Sequence, residues 1–146
     1  MADQSAAAYR GQIAEAYAKY MAELRQAAPH WEAKPPAGDG EEAWCARQVA
    51  EHIAGVAGLF GAGVAKATGL QGPGRTGSEL ADAAAALTAT PVAHDRLMGV
   101  LQQVQDDHLG IEVEFGPLGK TNVGGILGVI AHHIEEHANQ LAALRA

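Results

Sequence analysis

The chain of 146 residues has little cysteine, a deficit of basic residues and no long apolar run. The single cysteine, Cys45, excludes an internal disulfide framework and favours a reducing compartment. A total of 10 lysines and arginines against 17 acidic residues gives a formal net charge of −7, which argues against a basic surface for nucleic acid. The longest uncharged apolar run, Ile53 to Ala65, is shorter than the roughly 18 residues that cross a membrane. Because Met1 to Ser5 also lacks signal-peptide features, we expect a cytoplasmic protein that binds neither nucleic acid nor a membrane.

Apolar residues recur at helical spacing in four long segments, and this pattern predicts an all-α fold. The predicted helices lie near 6–28, 43–67, 78–107 and 121–145. Loops rich in glycine and proline separate the first three segments. The length fits a single domain over residues 1–146, large enough to bury a core without disulfides. The segments therefore predict a four-helix bundle.

Two short features modify this pattern in the second half of the chain. Thr90 and Pro91 resemble an N-cap and the first residue of a new helix, so the third helix is expected to be kinked or split near Pro91. Ile111 to Phe115 alternates apolar and charged residues, which predicts a short extended segment before the last helix.

Three histidines are predicted to face the core of the bundle. His133 and His137 lie one turn apart within the apolar stripe of the last helix, and Gln140 follows on the same face. His52 lies within the apolar stripe of the second helix. Two imidazoles at i and i+4 can share one metal ion, and a third ligand from another helix would make the site more complete. From spacing alone, the alternative that all three are hydrogen-bonded core residues stays open.

The segment from His133 to His137 also fits the H-x-x-E-H pattern of some metalloproteases, in which Glu136 would be the base. We expect no protease, because the sequence after His137 leaves no place for the downstream acidic ligand that such enzymes use. Glu136 is the candidate acid or base beside a metal, and Glu51 is a weaker candidate because it lies less close to the metal in helical projection. The catalytic residues are otherwise undetermined.

Two motifs resemble those of a known family. Trp44 to His52 (WCARQVAEH) places a histidine eight residues after a tryptophan at the start of a helix, and His133, His137 and Gln140 form a last-helix signature. Both are similar to the DinB-like superfamily, and the resemblance covers nearly the whole chain. Cys45 departs from it, since the family has serine or threonine at that helix cap. The resemblance implies a bundle whose open end holds a divalent metal on His52, His133 and His137.

The resemblance also implies a class of chemistry. Three neutral imidazoles with an open fourth position are typical of a catalytic site, for which zinc is the expected metal and nickel or iron are alternatives. Related proteins are metal-dependent transferases or isomerases that use a low-molecular-weight thiol such as mycothiol or bacillithiol, acting on a small-molecule substrate. A metal-dependent hydrolase and a non-catalytic, stress-associated metal-binding protein remain the alternatives.

The composition of two helices further predicts a homodimer. Tyr17 and Met21 lie at the flank of the first helix, and the second helix carries Gly55, Gly58 and other small residues that allow close approach. We expect the subunits to meet through the sides of the bundle, leaving the metal end open. The alternative is that these side chains complete the core of one monomer.

Overall fold

The computed structural model describes residues 5–33, 43–70, 83–115 and 119–144. It contains four long helices and one short hairpin, so the prediction of an all-α four-helix bundle is confirmed. The helices are α1 (Ala6–Arg25), α2 (Ala46–Thr68), α3 (Ala83–Leu101) and α4 (Val123–Leu144). The hairpin consists of β1 (Glu112–Glu114) and β2 (Lys120–Asn122), and two single turns of 3₁₀ helix span Ala28–His30 and Asp106–His108. None of the described helices combines the length and apolarity that a membrane-spanning segment requires.

The ends of the first two helices follow from local hydrogen bonding. The Ser5 hydroxyl caps α1 by accepting the N–H of Ala8 at 3.1 Å. At the start of α2, Gln48 Oε1 accepts the backbone N–H of Cys45 at 3.0 Å, so a first-turn side chain supports the cap at the position of the cysteine. Helix α2 ends at Thr68 and is followed by Gly69, whose positive φ of 75° is the left-handed conformation that favours glycine.

The four helices pack around one apolar core. The most extensive pairings are α1 with α4 and α2 with α3, while α2 also packs directly against α4. The largest side chains that are almost completely buried are Ile13, Tyr20, Leu24, Ile53, Leu97, Leu101, Ile126, Leu127, Ile130 and Leu141. Burial of each Leu or Ile side chain stabilises the fold by about 1.5–3 kcal/mol. The direct contact between α2 and α4 matters most for function, because these two helices carry the predicted ligands.

Helix α3 ends earlier than predicted, at Leu101 rather than near residue 107. Its last turn tightens, since Gln103 and Val104 donate their N–H groups to carbonyls three residues earlier. The guanidinium of Arg10 in α1 then donates to the carbonyl oxygens of Leu101 and Val104, at 3.0 and 3.1 Å. The charged side chain of Arg10 thus satisfies carbonyl groups at the end of α3. The local sequence pattern of α3 does not predict this interaction.

Helix α3 continues through Pro91 without interruption, so the alternative that it is split there was wrong. A kink at Pro91 stays a prediction. Its predicted beginning at residue 78 lies outside the described residues. The other bounds differ by a few residues: α1 ends at Arg25 rather than 28, and α2 begins at Ala46 rather than 43.

The predicted extended segment is strand β1, and it pairs with a partner that the sequence assigned partly to the last helix. The antiparallel register places Glu112 opposite Asn122, Val113 opposite Thr121, and Glu114 opposite Lys120. Because residues 120–122 are used in this pairing, α4 begins at Val123 rather than at residue 121. The strand leads into Phe115, whose ring lies directly over Gly63 of α2.

Candidate metal centre

The structure brings together the three histidines that the sequence singled out. His52 lies about two turns into α2, and His133 and His137 lie one turn apart on α4. The Nε2 atom of His133 is 3.0 Å from Nε2 of His52 and 3.2 Å from Nε2 of His137. One ligand atom from each residue lies within 4.8 Å of the others. Because α2 packs directly on α4, the histidines from the apolar stripes of the two helices form one cluster of three imidazoles.

Hydrogen bonds among the three rings cannot pair all three Nε2 atoms with one another. An imidazole nitrogen carries either one proton or one lone pair, so His133 Nε2 makes one hydrogen bond, yet it faces two other Nε2 atoms. A cation that accepts a lone pair from each ring satisfies all three nitrogens. Tetrahedral ligands about 2.0–2.1 Å from zinc lie about 3.3 Å from one another. The observed separations of 3.0 and 3.2 Å are close to that value, so the residues fit a divalent metal.

Gln140 fixes the orientation of one of these rings. Its Oε1 lies 2.7 Å from Nδ1 of His137. An amide oxygen accepts but never donates a hydrogen bond, so Nδ1 carries the proton and Nε2 keeps its lone pair toward the other two histidines. A hydrogen bond from the second ring nitrogen to a neighbouring acceptor is typical of metal-ligating histidine. The last-helix signature thus combines two candidate ligands with the group that orients one of them.

The environment keeps His133 neutral at physiological pH. Burial, and after it the neighbouring His137, His52 and His132, together lower the pKa of His133 to about 4. A neutral imidazole is the form that binds a metal ion. Its Nδ1 is buried and has no hydrogen-bond partner among the described residues.

Aromatic rings surround the cluster. The Trp44 ring lies edge-on to His52 with centroids 5.0 Å apart and is stacked on His137 at 6.2 Å. Phe60 contacts the ring of His133 edge-on at 5.8 Å, and Phe115 is stacked on Phe60 at 5.6 Å. The sequence identified Trp44 as part of a motif, but it gave no signal that the hairpin would bring Phe115 close to these rings.

The structure does not bring Glu136 to the three histidines. Its Oε1 lies 2.9 Å from Nε2 of His132, and both side chains are mostly exposed on the outer side of α4. Glu51 forms an ion pair at 3.2 Å with Arg47, one turn earlier on α2. The potential metal-ligand cluster within the described residues consists of His52, His133 and His137.

Three other histidines lie away from this cluster. His94 packs against Tyr17, with ring centroids 3.8 Å apart. His108 closes the second 3₁₀ turn, where its Nδ1 accepts the N–H of Gln105 at 2.9 Å. His30 is half-buried in the first 3₁₀ turn.

Comparison with known proteins gives one family. The family model described as the DinB superfamily matches residues 4–141, which include both histidine-bearing helices and Trp44. Neither a curated protein nor a solved structure shows significant similarity to the chain. The match covers far more than half of the sequence, and the chain belongs to the DinB superfamily.

Proposed function

We propose that the protein is a metal-dependent transferase that uses a low-molecular-weight thiol as cofactor. The observation that carries the proposal is the convergence of three Nε2 atoms, at 3.0 and 3.2 Å, from His52, His133 and His137. Three protein ligands leave one position of a tetrahedral ion for a cofactor or substrate, which distinguishes catalytic from structural sites. Zinc is the expected ion, with nickel or iron as alternatives, because imidazole suits all of them.

When bound, the ion would lower the pKa of a coordinated thiol and supply a thiolate nucleophile at neutral pH. The protein's own residues orient one ligand, keep another unprotonated and limit the access of water. Gln140 holds the proton on Nδ1 of His137, so this ring presents its other nitrogen as a ligand. Burial keeps His133 unprotonated, so protons compete weakly for its lone pair. Trp44 and Phe60 cover the imidazoles with apolar surface, which limits access of water.

The position of Glu136 favours a transferase over a hydrolase. Hydrolysis at a metal site usually employs an acid or base close to the ion, and Glu136 instead pairs with His132 in solvent. A thiol transferase places fewer demands on such a residue, because the thiolate is itself the nucleophile. The proposed cellular location is the cytoplasm, where small thiols are kept reduced.

The proposal is tested by a conjugation assay with untagged protein. Mycothiol, bacillithiol and glutathione would each be combined with an electrophilic aromatic halide, with and without added zinc, and thioether product would be quantified by mass spectrometry. We expect metal-dependent product with at least one thiol, and loss of it in His52→Ala and His137→Ala. His132→Ala is the matched control, since this exposed neighbour on α4 lies outside the cluster and should retain activity.

Three results would count against a transferase. Equal product formation in the wild type and in both ligand variants would show that the histidine cluster takes no part. Metal-loaded wild type that is inactive with every thiol, yet hydrolyses esters or amides, would favour the hydrolase alternative. Inactivity in both assays would favour a non-catalytic metal-binding role.

A further inference from the structure

The metal centre has different neighbours on its two sides along the helices. On α2, charged side chains occur just before His52, whereas residues 53–65 after it carry none. On α4 the order is reversed, because residues 123–131 before His133 are uncharged and the carboxylates of the helix follow it. Each helix therefore has an uncharged segment that begins at a candidate ligand.

Ring contacts place the two uncharged segments side by side. Trp44, just before α2, is stacked on His137, whereas Phe60, eight residues after His52, contacts the ring of His133. Since His137 follows His133 in sequence, α2 and α4 run antiparallel at the metal centre. The centre consequently has one side with charged residues and one side without them.

An apolar strip begins at the metal centre on the uncharged side. Val56 lies one turn after His52 on α2, and Val129 lies one turn before His133 on α4, so both continue the line of the ligands. Phe115 packs on α2 further along the same side. We name Val56, Val129 and Phe115 the apolar strip.

A ligand can reach this strip. Its three residues are half-buried, and so are His52 and His133, so each side chain keeps some contact with solvent. The Phe60 ring lies 5.8 Å from that of His133 and 5.6 Å from that of Phe115, so apolar contact is continuous from the ligands to Phe115. Phe115 packs at Gly63, 11 residues after His52, and the strip therefore extends about 16 Å along α2.

The chemistry of the strip indicates which reactant lies on it. The proposed reaction joins a thiol cofactor to an electrophile. Mycothiol, bacillithiol and glutathione carry hydroxyl, carboxylate or amide groups along their length, and these lose hydration against an apolar surface that offers no partner. The strip contains no charged or hydrogen-bonding side chain. It is therefore suited to the electrophile and unsuited to the thiol.

We propose that the apolar strip binds the electrophilic substrate of the metal centre, and that this substrate has an uncharged, apolar body. The inference rests on the proposed function, because it assigns the second reactant of the same transfer. In that transfer the thiol sulfur forms a bond to the electrophilic carbon, the leaving group departs with the bonding electrons, and the thiol proton passes to water. The body of the substrate extends from this carbon toward Phe115.

Binding to the strip is measured separately from activity. Zinc-loaded, ¹⁵N-labelled protein would be titrated with 1-hexanol and followed by NMR, and we expect saturable shifts of the amides of Val56, Val129 and Phe115. The diol 1,6-hexanediol has the same chain with a second hydroxyl and should bind about tenfold more weakly. Val129→Thr adds a hydroxyl at nearly constant volume and should weaken hexanol binding. Val92→Thr is the matched control, since this exposed valine lies on α3.

Substrate preference is measured in the conjugation assay with a series of 1-bromoalkanes. After subtraction of the uncatalysed rate, kcat/KM should rise about two- to fourfold with each added methylene, the effect of burying one such group partly or fully. The polar analogue 6-bromohexan-1-ol should be a poorer substrate than 1-bromohexane. Val129→Thr and Val56→Thr should reduce the rise with chain length, and Val92→Thr should preserve it.

Three outcomes would overturn the proposal. The first is the absence of saturable shifts at the strip at tens of millimolar hexanol. The second is thioether formation whose rate is independent of chain length and unchanged in Val129→Thr, which would retain the transferase and reject the strip. The third is a second copy of the chain that covers the strip and is not displaced by hexanol. Hexanol binding that depends on Val129, without thioether from any halide, would instead support the strip as an apolar binding surface and reject the transferase.

Discussion

Among single residues, Gln140 has the closest relation to the metal centre without contributing a ligand. Its Oε1 accepts the Nδ1–H of His137 at 2.7 Å and so determines which nitrogen of that ring faces the cluster. Gln140→Leu removes the acceptor at similar size. We expect metal affinity to fall by about 10–100-fold, the usual effect of losing an orienting partner. A chelator competition titration measures it.

Gln140→Glu is the control, because a carboxylate also accepts from Nδ1–H and should preserve affinity. If Gln140→Leu bound metal as tightly as the wild type, the orienting role of Gln140 would be excluded.

His133 makes the stability of the metal-free protein depend on pH. The pKa of this ring is about 4 in the folded protein, below its ordinary value of 6.5, chiefly because of burial. Above about pH 6.5 the ring is neutral in both states and contributes no pH dependence. As the pH falls toward 4, the unfolded chain takes up the proton first, so the free energy of unfolding decreases.

Urea unfolding of chelator-treated protein at pH 7 and pH 5 checks this expectation. The wild type should lose more stability between the two pH values than His133→Gln, which has no imidazole to protonate. The same loss in both proteins would contradict it.

The residues of the candidate site could largely be predicted from sequence, and their surroundings could not. Helical periodicity fixes which face a residue occupies, so the sequence alone assigns His52, His133 and His137 to core stripes. The approach of two helices is not encoded in either stripe alone. The prediction that the three histidines group into one site therefore depended on the family resemblance. Contacts between distant segments, such as Phe115 on Phe60, had no local signal at all.

At the scale of elements, Phe115, the residue after β1, packs against α2 at Gly63 and Phe60. A methyl group on Gly63 would overlap the ring of Phe115, which is stacked on Phe60. Gly63→Ala should therefore force the hairpin away from α2 and lower the free energy of unfolding by about 1–3 kcal/mol, as overpacking does. Thermal or urea unfolding measures the change.

The matched control is Gly99→Ala on α3, where an added methyl group meets no atom within 4 Å. This change should stabilise the protein by about 0.5–1 kcal/mol, because alanine is the better helix former. If both variants changed stability equally, close packing of Phe115 on Gly63 could not be the cause.

Element boundaries were the weaker part of the sequence prediction. Helix α3 stops at Leu101 because the chain tightens there and the Arg10 guanidinium donates to the carbonyl oxygen of Leu101, 91 residues away in sequence. Helix α4 starts late because residues 120–122 pair with β1. Both differences arise from tertiary hydrogen bonds, which propensity and periodicity do not contain.

At the scale of the whole molecule, the predicted homodimer stays a prediction. The structure places Tyr17 and Tyr20 in the core of the monomer, so they leave little surface for a partner. The exposed face of α2 retains Gly55 and Leu59, the latter 57% exposed. Light scattering at high micromolar concentration should give a dimer mass, and Leu59→Glu should shift it toward monomer. A monomer mass for the wild type would contradict the prediction.

The central claim is that His52, His133 and His137 hold one divalent ion. Metal analysis by mass spectrometry of protein purified without a histidine tag tests it most directly. We predict about one equivalent of metal per chain, lost in His52→Ala and in His137→Ala, because each variant leaves an incomplete ligand set. His132→Ala, one residue from the cluster and exposed, should keep full occupancy. Full occupancy in both ligand variants, or no binding of zinc, nickel or iron by the wild type, would contradict the claim.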